Sequence, residues 1–137
     1  MERLCLVTGA TGYVGGRLVP RLLEAGFRVR VLVRHLDRIR DLPWADQVQV
    51  AVGDATDPVA INAALDGVDI AYYLLHSIQQ GAALETEEAH IARTFAEAAR
   101  AQHVARIVYL GGLAPEVPPE RMSRHMRSRS QVRDILR

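Results

Sequence analysis

Gly9-Ala10-Thr11-Gly12-Tyr13-Val14-Gly15 stands between a short apolar run, Leu4 to Val7, and a segment with helical periodicity. The run before it has the length and composition of a buried strand. After it, Val14, Leu18 and Leu22 recur every four residues, with Val19 and Leu23 beside them and Arg17, Arg21 and Glu24 off that face. This is the pattern of an amphipathic helix. Gly26 follows as its stop, because glycine tolerates the left-handed conformation at a helix C-terminus. In such a turn Gly9 permits the tight change of direction, Gly12 lets the backbone approach a diphosphate, and Gly15 lets helix and strand pack closely. The N–H groups at the helix start, near Tyr13 and Val14, then face an anion along the helix dipole. The G-x-x-G-x-x-G spacing has the flanking strand and helix that the motif requires. Its candidate contacts are Gly9, Thr11, Gly12, Tyr13, Val14 and Gly15. The plain alternative is a glycine-rich turn that binds no nucleotide.

Outward from this turn the chain alternates strands and helices. Phe27 to Val33 reads as a second strand, and Arg34 to Leu42 as a short helix ended by Pro43. Val48, Val50 and Val52 alternate with Gln49 and Ala51 as a third strand before Gly53-Asp54. Asp57-Pro58 opens a helix to Leu65, and Asp66-Gly67 is a turn. Val68 to Leu75 is a fourth strand, His76 to Ala83 a polar loop, and Leu84 to Gln102 the longest helix, with Ile91, Phe95 and Ala98 on one face. Ala105 to Leu110 is a fifth strand, and Gly111 to Pro119 a proline-rich loop. Glu120 to Arg137 is helical at its end, where Val132, Ile135 and Leu136 share a face. The alternation predicts an α/β domain of the Rossmann type: a doubly wound parallel sheet in the order 3-2-1-4-5, with ligands at the carboxyl ends of the strands.

Composition narrows the class. The chain has 137 residues, enough for one domain, of which 49% are hydrophobic, with a net charge of +1. Cys5 is the sole cysteine, so disulfides within the chain and cysteine metal clusters are excluded. No run reaches membrane-spanning length and no signal peptide is evident, so the expected setting is cytoplasmic and reducing, away from membranes. The basic end carries Arg121, Arg124, Arg127, Arg129, Arg133 and Arg137 on several helix faces without interleaved aromatics. A nucleic-acid role is therefore not expected. All 17 basic residues are arginine; the chain contains no lysine.

The end of the second strand bears on the cofactor. Domains that prefer NAD place a carboxylate there for the ribose hydroxyls. Here Arg34 and His35 follow the strand, with Arg38 one turn on. A guanidinium grips a 2′-phosphate with forked hydrogen bonds, whereas a carboxylate repels it. NADP is expected over NAD, with NAD still possible and a merely solvated Arg34 as the alternative.

TGATGYVGGRLVPRLLEAG, the arginine after strand two, GDATD after strand three and VYLGGL on strand five together resemble the short-chain dehydrogenase/reductase superfamily. The likeness is greatest to its atypical, NmrA-like NAD(P)-binding members. By that resemblance Asp54 and Ala55 sit beside the adenine, with Asp54 accepting from its exocyclic amine, and Leu75, His76 and Ser77 line the nicotinamide ribose. Asp54 also has a simpler reading as a turn or cap residue. Catalytic members carry a serine after strand five and a tyrosine-x-x-x-lysine pair on the next helix. At those positions stand Leu110-Gly111-Gly112 and, for the pair, His125 and Arg129. The usual set is absent, since no lysine exists to recover it.

His125 and Arg129 share a helix face, and a histidine can act as an acid near neutrality. A nearby arginine favours its neutral form, the wrong direction for an acid. A surface histidine on an arginine-rich helix is the competing reading, and neither residue is assigned as catalytic. Two functions remain open: an NADP-dependent oxidoreductase of unknown substrate, or a non-catalytic NADP(H)-binding redox sensor or regulator. The resemblance implies further strands and a substrate region. The expectation is an N-terminal fragment of a longer protein, truncated before those strands, or a domain whose apolar strand-five edge (Ile107, Val108, Leu110) is covered by a partner chain, as in a homo-oligomer.

Overall fold

In the structure, a computed structural model, residues 3–75, 82–109 and 131–137 are described, with side chains from 86 onward in the second segment. The elements are β1 (Leu4–Thr8), α1 (Tyr13–Glu24), β2 (Arg28–Val33), β3 (Gln49–Val52), α2 (Pro58–Leu65), β4 (Ile70–Tyr73), α3 (Ala82–Ala101) and β5 (Arg106–Tyr109). All four strand pairings are parallel, and the sheet order is β3-β2-β1-β4-β5. This is the Rossmann-type order expected from the alternation of elements.

The central strand is the most deeply buried: every residue of β1 is enclosed. Its side chains alternate between two cores. Leu4 and Leu6 point to one, built with Ile61, Leu65, Phe95 and Val132. Cys5 and Val7 point to the other, with Val19, Val31, Ile39 and Trp44. Burial pushes the Cys5 thiol up to about 11, so it stays protonated and acts as a small apolar residue. On the first core, Tyr73 packs edge-on to Phe95 with ring centroids 5.0 Å apart. Ile91, Phe95 and Ala98 share the buried face of α3 as the periodicity predicts, and residues 131–136 are helical, seating Val132, Ile135 and Leu136 on the same core.

The helix ends follow the capping rules. Gly26 lies at φ +91°, and the amides of Gly26 and Phe27 bond back to Leu23 O and Leu22 O, both at 3.1 Å. Asp57 caps α2 by accepting from Val59 N at 3.0 Å, with Pro58 at the first helical position. Arg30 of β2 crosses to the far end of α2, donating to Ala64 O at 2.6 Å, Asp66 O at 2.7 Å and Gln49 Oε1 at 3.0 Å. A cation on the exposed carbonyls of a helix end compensates its dipole.

Three local expectations are corrected. The buried seam of α1 is Gly15, Val19 and Leu22, and Val14 is exposed. The close approach of Gly15 to the turn rotates the helix so that its glycine side, not Val14, faces the sheet. Residues 34–42 form no α-helix; the chain makes a 3-10 turn at Leu36–Arg38 followed by further i to i+3 bonds, Leu42 N to Ile39 O and Ala45 N to Leu42 O. Burial of Ile39 and Trp44 holds this tight path across the sheet, overriding the helical reading. The fourth strand pairs only over Ile70–Tyr73, two residues shorter at each end than the apolar run Val68 to Leu75. β5 is an edge: among the described residues it pairs with β4 alone.

Candidate functional site

The strand order reverses between β1 and β4, where a parallel sheet opens a crevice at the carboxyl ends of its strands. A cavity of about 320 Å³ occupies this place, bounded by the glycine turn, the ends of β2 and β3, and α3. It brings together Gly9, Thr11, Arg34, Arg38, Asp54, Ala55 and Leu75, all singled out from the sequence. A second cavity, of about 390 Å³, lies on the other side of the turn and takes in Gly12 and Tyr13. Val14 and Gly15 line neither cavity. His76, Ser77, His125 and Arg129 lie outside the described residues.

The turn itself is sterically determined. Gly9 adopts φ +69°, and a Cβ there would sit 2.7 Å from Leu74 O. A Cβ on Gly15 would collide with Gly9 O, so the helix meets the turn at backbone contact. Gly12 donates its N–H to Gly9 O at 3.0 Å and caps α1 in an extended conformation without a side-chain cap. The first turn of α1 also lacks acidic residues. The amides of Tyr13, Val14 and Gly15 therefore have no acceptor within the helix. They form an electropositive end suited to a phosphate.

Thr8, fully buried at the end of β1, was not recognised from the sequence. Its Oγ1 donates to Tyr72 O at 2.8 Å and accepts from Leu74 N at 2.9 Å, binding the ends of β1 and β4 together beside the crevice. The only available signal was a hydroxyl residue closing an otherwise apolar strand directly before Gly9. Glu87 and Ile91 of α3 also line the crevice beside Arg34 and Asp54 and were not expected there.

The polar wall is made by β2 and β3. Arg34 Nη2 donates to Asp54 Oδ2 at 3.1 Å, with the two side chains 57% and 43% exposed. Asp54 Oδ1 accepts from Thr56 N at 2.9 Å and Thr56 Oγ1 at 2.8 Å. The Thr56 amide and hydroxyl, aided by Arg34 and opposed by partial burial, hold the Asp54 carboxyl below its ordinary value. Asp54 is thus a charged turn residue that also contacts the residue expected to read the cofactor. With three hydrogen bonds accepted, the carboxylate keeps capacity for one more donor.

Residues 9–137 match a protein-family model described as NAD(P)H-binding. Among curated proteins, a ceramide reductase of Caulobacter vibrioides is 33% identical over 136 residues, covering 96% of this chain and 41% of the relative. A ketoreductase of Aspergillus fumigatus is 32% identical over 123 residues, covering 84% of this chain and 37% of the relative. The chain thus spans about two-fifths of the length of these relatives. Among solved structures, an NADPH-dependent quinone oxidoreductase from Escherichia coli complexed with NADPH superposes with a TM-score of 0.77 at 25% identity, over 96% of this chain and 44% of that one. No helix among the described residues is long and apolar enough to cross a membrane. The glycine turn, the uncapped helix start and the crevice at the strand reversal are the features such a family requires, and the chain belongs to the NAD(P)H-binding family.

Proposed function

We propose that residues 1–137 form the cofactor-binding domain of a longer reductase of the atypical short-chain type, with NADP(H) as its preferred cofactor. The observation that carries this reading is the glycine turn standing between two spaces: Gly9 and Thr11 line a crevice with Arg34 and Arg38, and the uncapped start of α1 opens at Gly12 and Tyr13 onto a second cavity that Arg38 also lines. The amides of Tyr13, Val14 and Gly15 take the pyrophosphate, and Gly12 leaves its approach clear. Asp54 and Ala55 flank the adenine, with the free capacity of Asp54 accepting its amine. Leu75, with His76 and Ser77 after it, borders the nicotinamide ribose. The nicotinamide supplies or accepts a hydride when bound; the residues of this chain bind and orient it. Reductases among the relatives support the oxidoreductase reading, and their remaining length supports a substrate region beyond this domain.

A second reading, a regulator that binds the cofactor without turnover, draws on one observation: all 17 basic residues are arginine, leaving no lysine for the usual catalytic pair. Calorimetric titration of the purified chain with NADPH, NADP and NADH tests the first reading, with tighter binding of the phosphorylated forms expected. Absence of binding to all three would overturn it. Hydride transfer to a panel of carbonyl substrates by the full-length protein separates reductase from regulator.

A further inference from the structure

Arg34 is the residue that strand position marks for the 2′-phosphate, yet its guanidinium already has an anion. It ends 3.1 Å from Asp54 Oδ2. Arg40 is likewise paired, to Asp37 at 3.0 Å. Arg17 and Arg38 differ: among the described residues neither has a carboxylate at ion-pair distance. Both line the cavity of about 390 Å³ on the α1 side of the glycine turn, together with Thr11, Gly12 and Tyr13. Arg38 also lines the crevice that holds Arg34 and Asp54, so it borders both spaces.

Arg17 is held toward this space. Its guanidinium lies over the Tyr13 ring, 3.6 Å from the centroid, and Nη1 donates to Tyr13 O at 3.2 Å. The two contacts fold the side chain back along α1 toward the helix start. One guanidinium face is covered and one donor used, which leaves the other donors for an anion. A dianionic phosphate at this place would meet two uncompensated cations and the positive end of α1, whereas beside Arg34 it would meet the Asp54 charge as well.

We propose that Arg17, held by Tyr13, forms with Arg38 an anion clamp that receives the 2′-phosphate of the cofactor and determines the preference for NADP(H), with Arg34 in a lesser part. This rests on the cofactor-binding reading above. Strand position alone does not point to Arg17, which lies on the helix rather than after β2.

The probes are 2′,5′-ADP against 5′-AMP, and NADPH against NADH, titrated calorimetrically into the wild-type chain, Arg17→Met and Arg17→Lys. The methionine variant should lose about tenfold in affinity for 2′,5′-ADP and NADPH, and keep its affinity for 5′-AMP and NADH. The lysine variant should recover part of the loss, because it keeps the charge but not the fork. Equal losses for NADPH and NADH would overturn the clamp by assigning Arg17 to the pyrophosphate or the helix. Unchanged affinities would overturn it by leaving Arg17 a surface residue. If the methionine variant does not fold, the lysine variant decides: selective weakening toward 2′,5′-ADP supports the clamp, and unchanged or uniform binding refutes it. Wild-type chain that binds none of the four ligands would instead overturn the cofactor reading itself.

Discussion

On one side of the glycine turn Arg34 meets Asp54, and Thr56 fixes the carboxylate in place. On the other side Arg17 and Arg38 face an open space with no carboxylate at ion-pair distance among the described residues. The two sides share Ala10, Thr11 and Arg38 as a wall. Their difference is that the arginine marked by strand position is already paired, while the two on the other side are not at ion-pair distance from a carboxylate among the described residues. What counts is the charge left over after its neighbours are included, since an anion added beside a paired guanidinium also meets the carboxylate.

The largest effect should come from displacing the turn that both sides share. Gly15→Ala places a Cβ against Gly9 O, so α1 or the turn must move. Stability should fall by more than about 2 kcal/mol in denaturant titration, and binding of NADPH and NADH should be lost together. If only NADPH binding were lost, the turn would serve one side rather than both. Arg34→Asp puts two carboxylates on the paired side. Affinity for NADPH should drop by up to about 100-fold, with NADH changed by less than about threefold, narrowing the gap between the cofactors in calorimetry. A uniform loss would mean that Arg34 does not report on the 2′-phosphate.

Thr8→Val probes the floor of the crevice. It removes the buried hydroxyl and takes one hydrogen bond each from Tyr72 O and Leu74 N. A loss of about 1–3 kcal/mol in thermal or denaturant unfolding is expected, with the ratio of NADPH to NADH affinity unchanged. A changed ratio would show that the β1–β4 junction acts on cofactor choice. The smallest effect, and the finest test of the comparison, is Asp54→Asn. Asparagine can still accept from Thr56 but no longer holds a charge beside Arg34. NADPH affinity should rise about threefold relative to NADH, the scale of an exposed ion pair, on top of a loss that both cofactors share at the adenine amine. A fall for NADPH alone would mean that Asp54 positions Arg34 for the phosphate rather than competing with it.

Much of this site was legible in the chain because glycines and charges act locally. Gly9, Gly26 and Gly67 all take positive φ where the turns were read, since only glycine enters that region at little cost. Strand order followed from alternation and handedness, which leave few topologies. That the residues after β2 and β3 come together on one crevice was legible from position, because parallel strands end on the same side. Other readings depended on partners distant in sequence. The 34–42 segment carried a helical composition, yet Ile39 and Trp44 draw it into a tight path against α1 and the sheet. β3 alternates valines as a buried strand would, but Val50 and Val52 are exposed and Ala51 packs inward, because an edge strand lies beyond the reach of α1.

Residue spacing alone determined that a helix begins at a glycine-lined turn after a buried strand, the arrangement we propose for the cofactor's pyrophosphate. Spacing along one strand or helix is a short-range property, set by φ, ψ and side-chain periodicity. Which arginines keep their charge free for that site was decided only by folding. Arg34 and Asp54 are 20 residues apart along the chain, and their pairing arises because β2 and β3 lie side by side in parallel and end together. The same folding brings Arg38 from a connecting turn to the cavity that Arg17 of α1 also lines. Electrostatics sums over all neighbours in space, so it is fixed by the packing of elements rather than by any one of them.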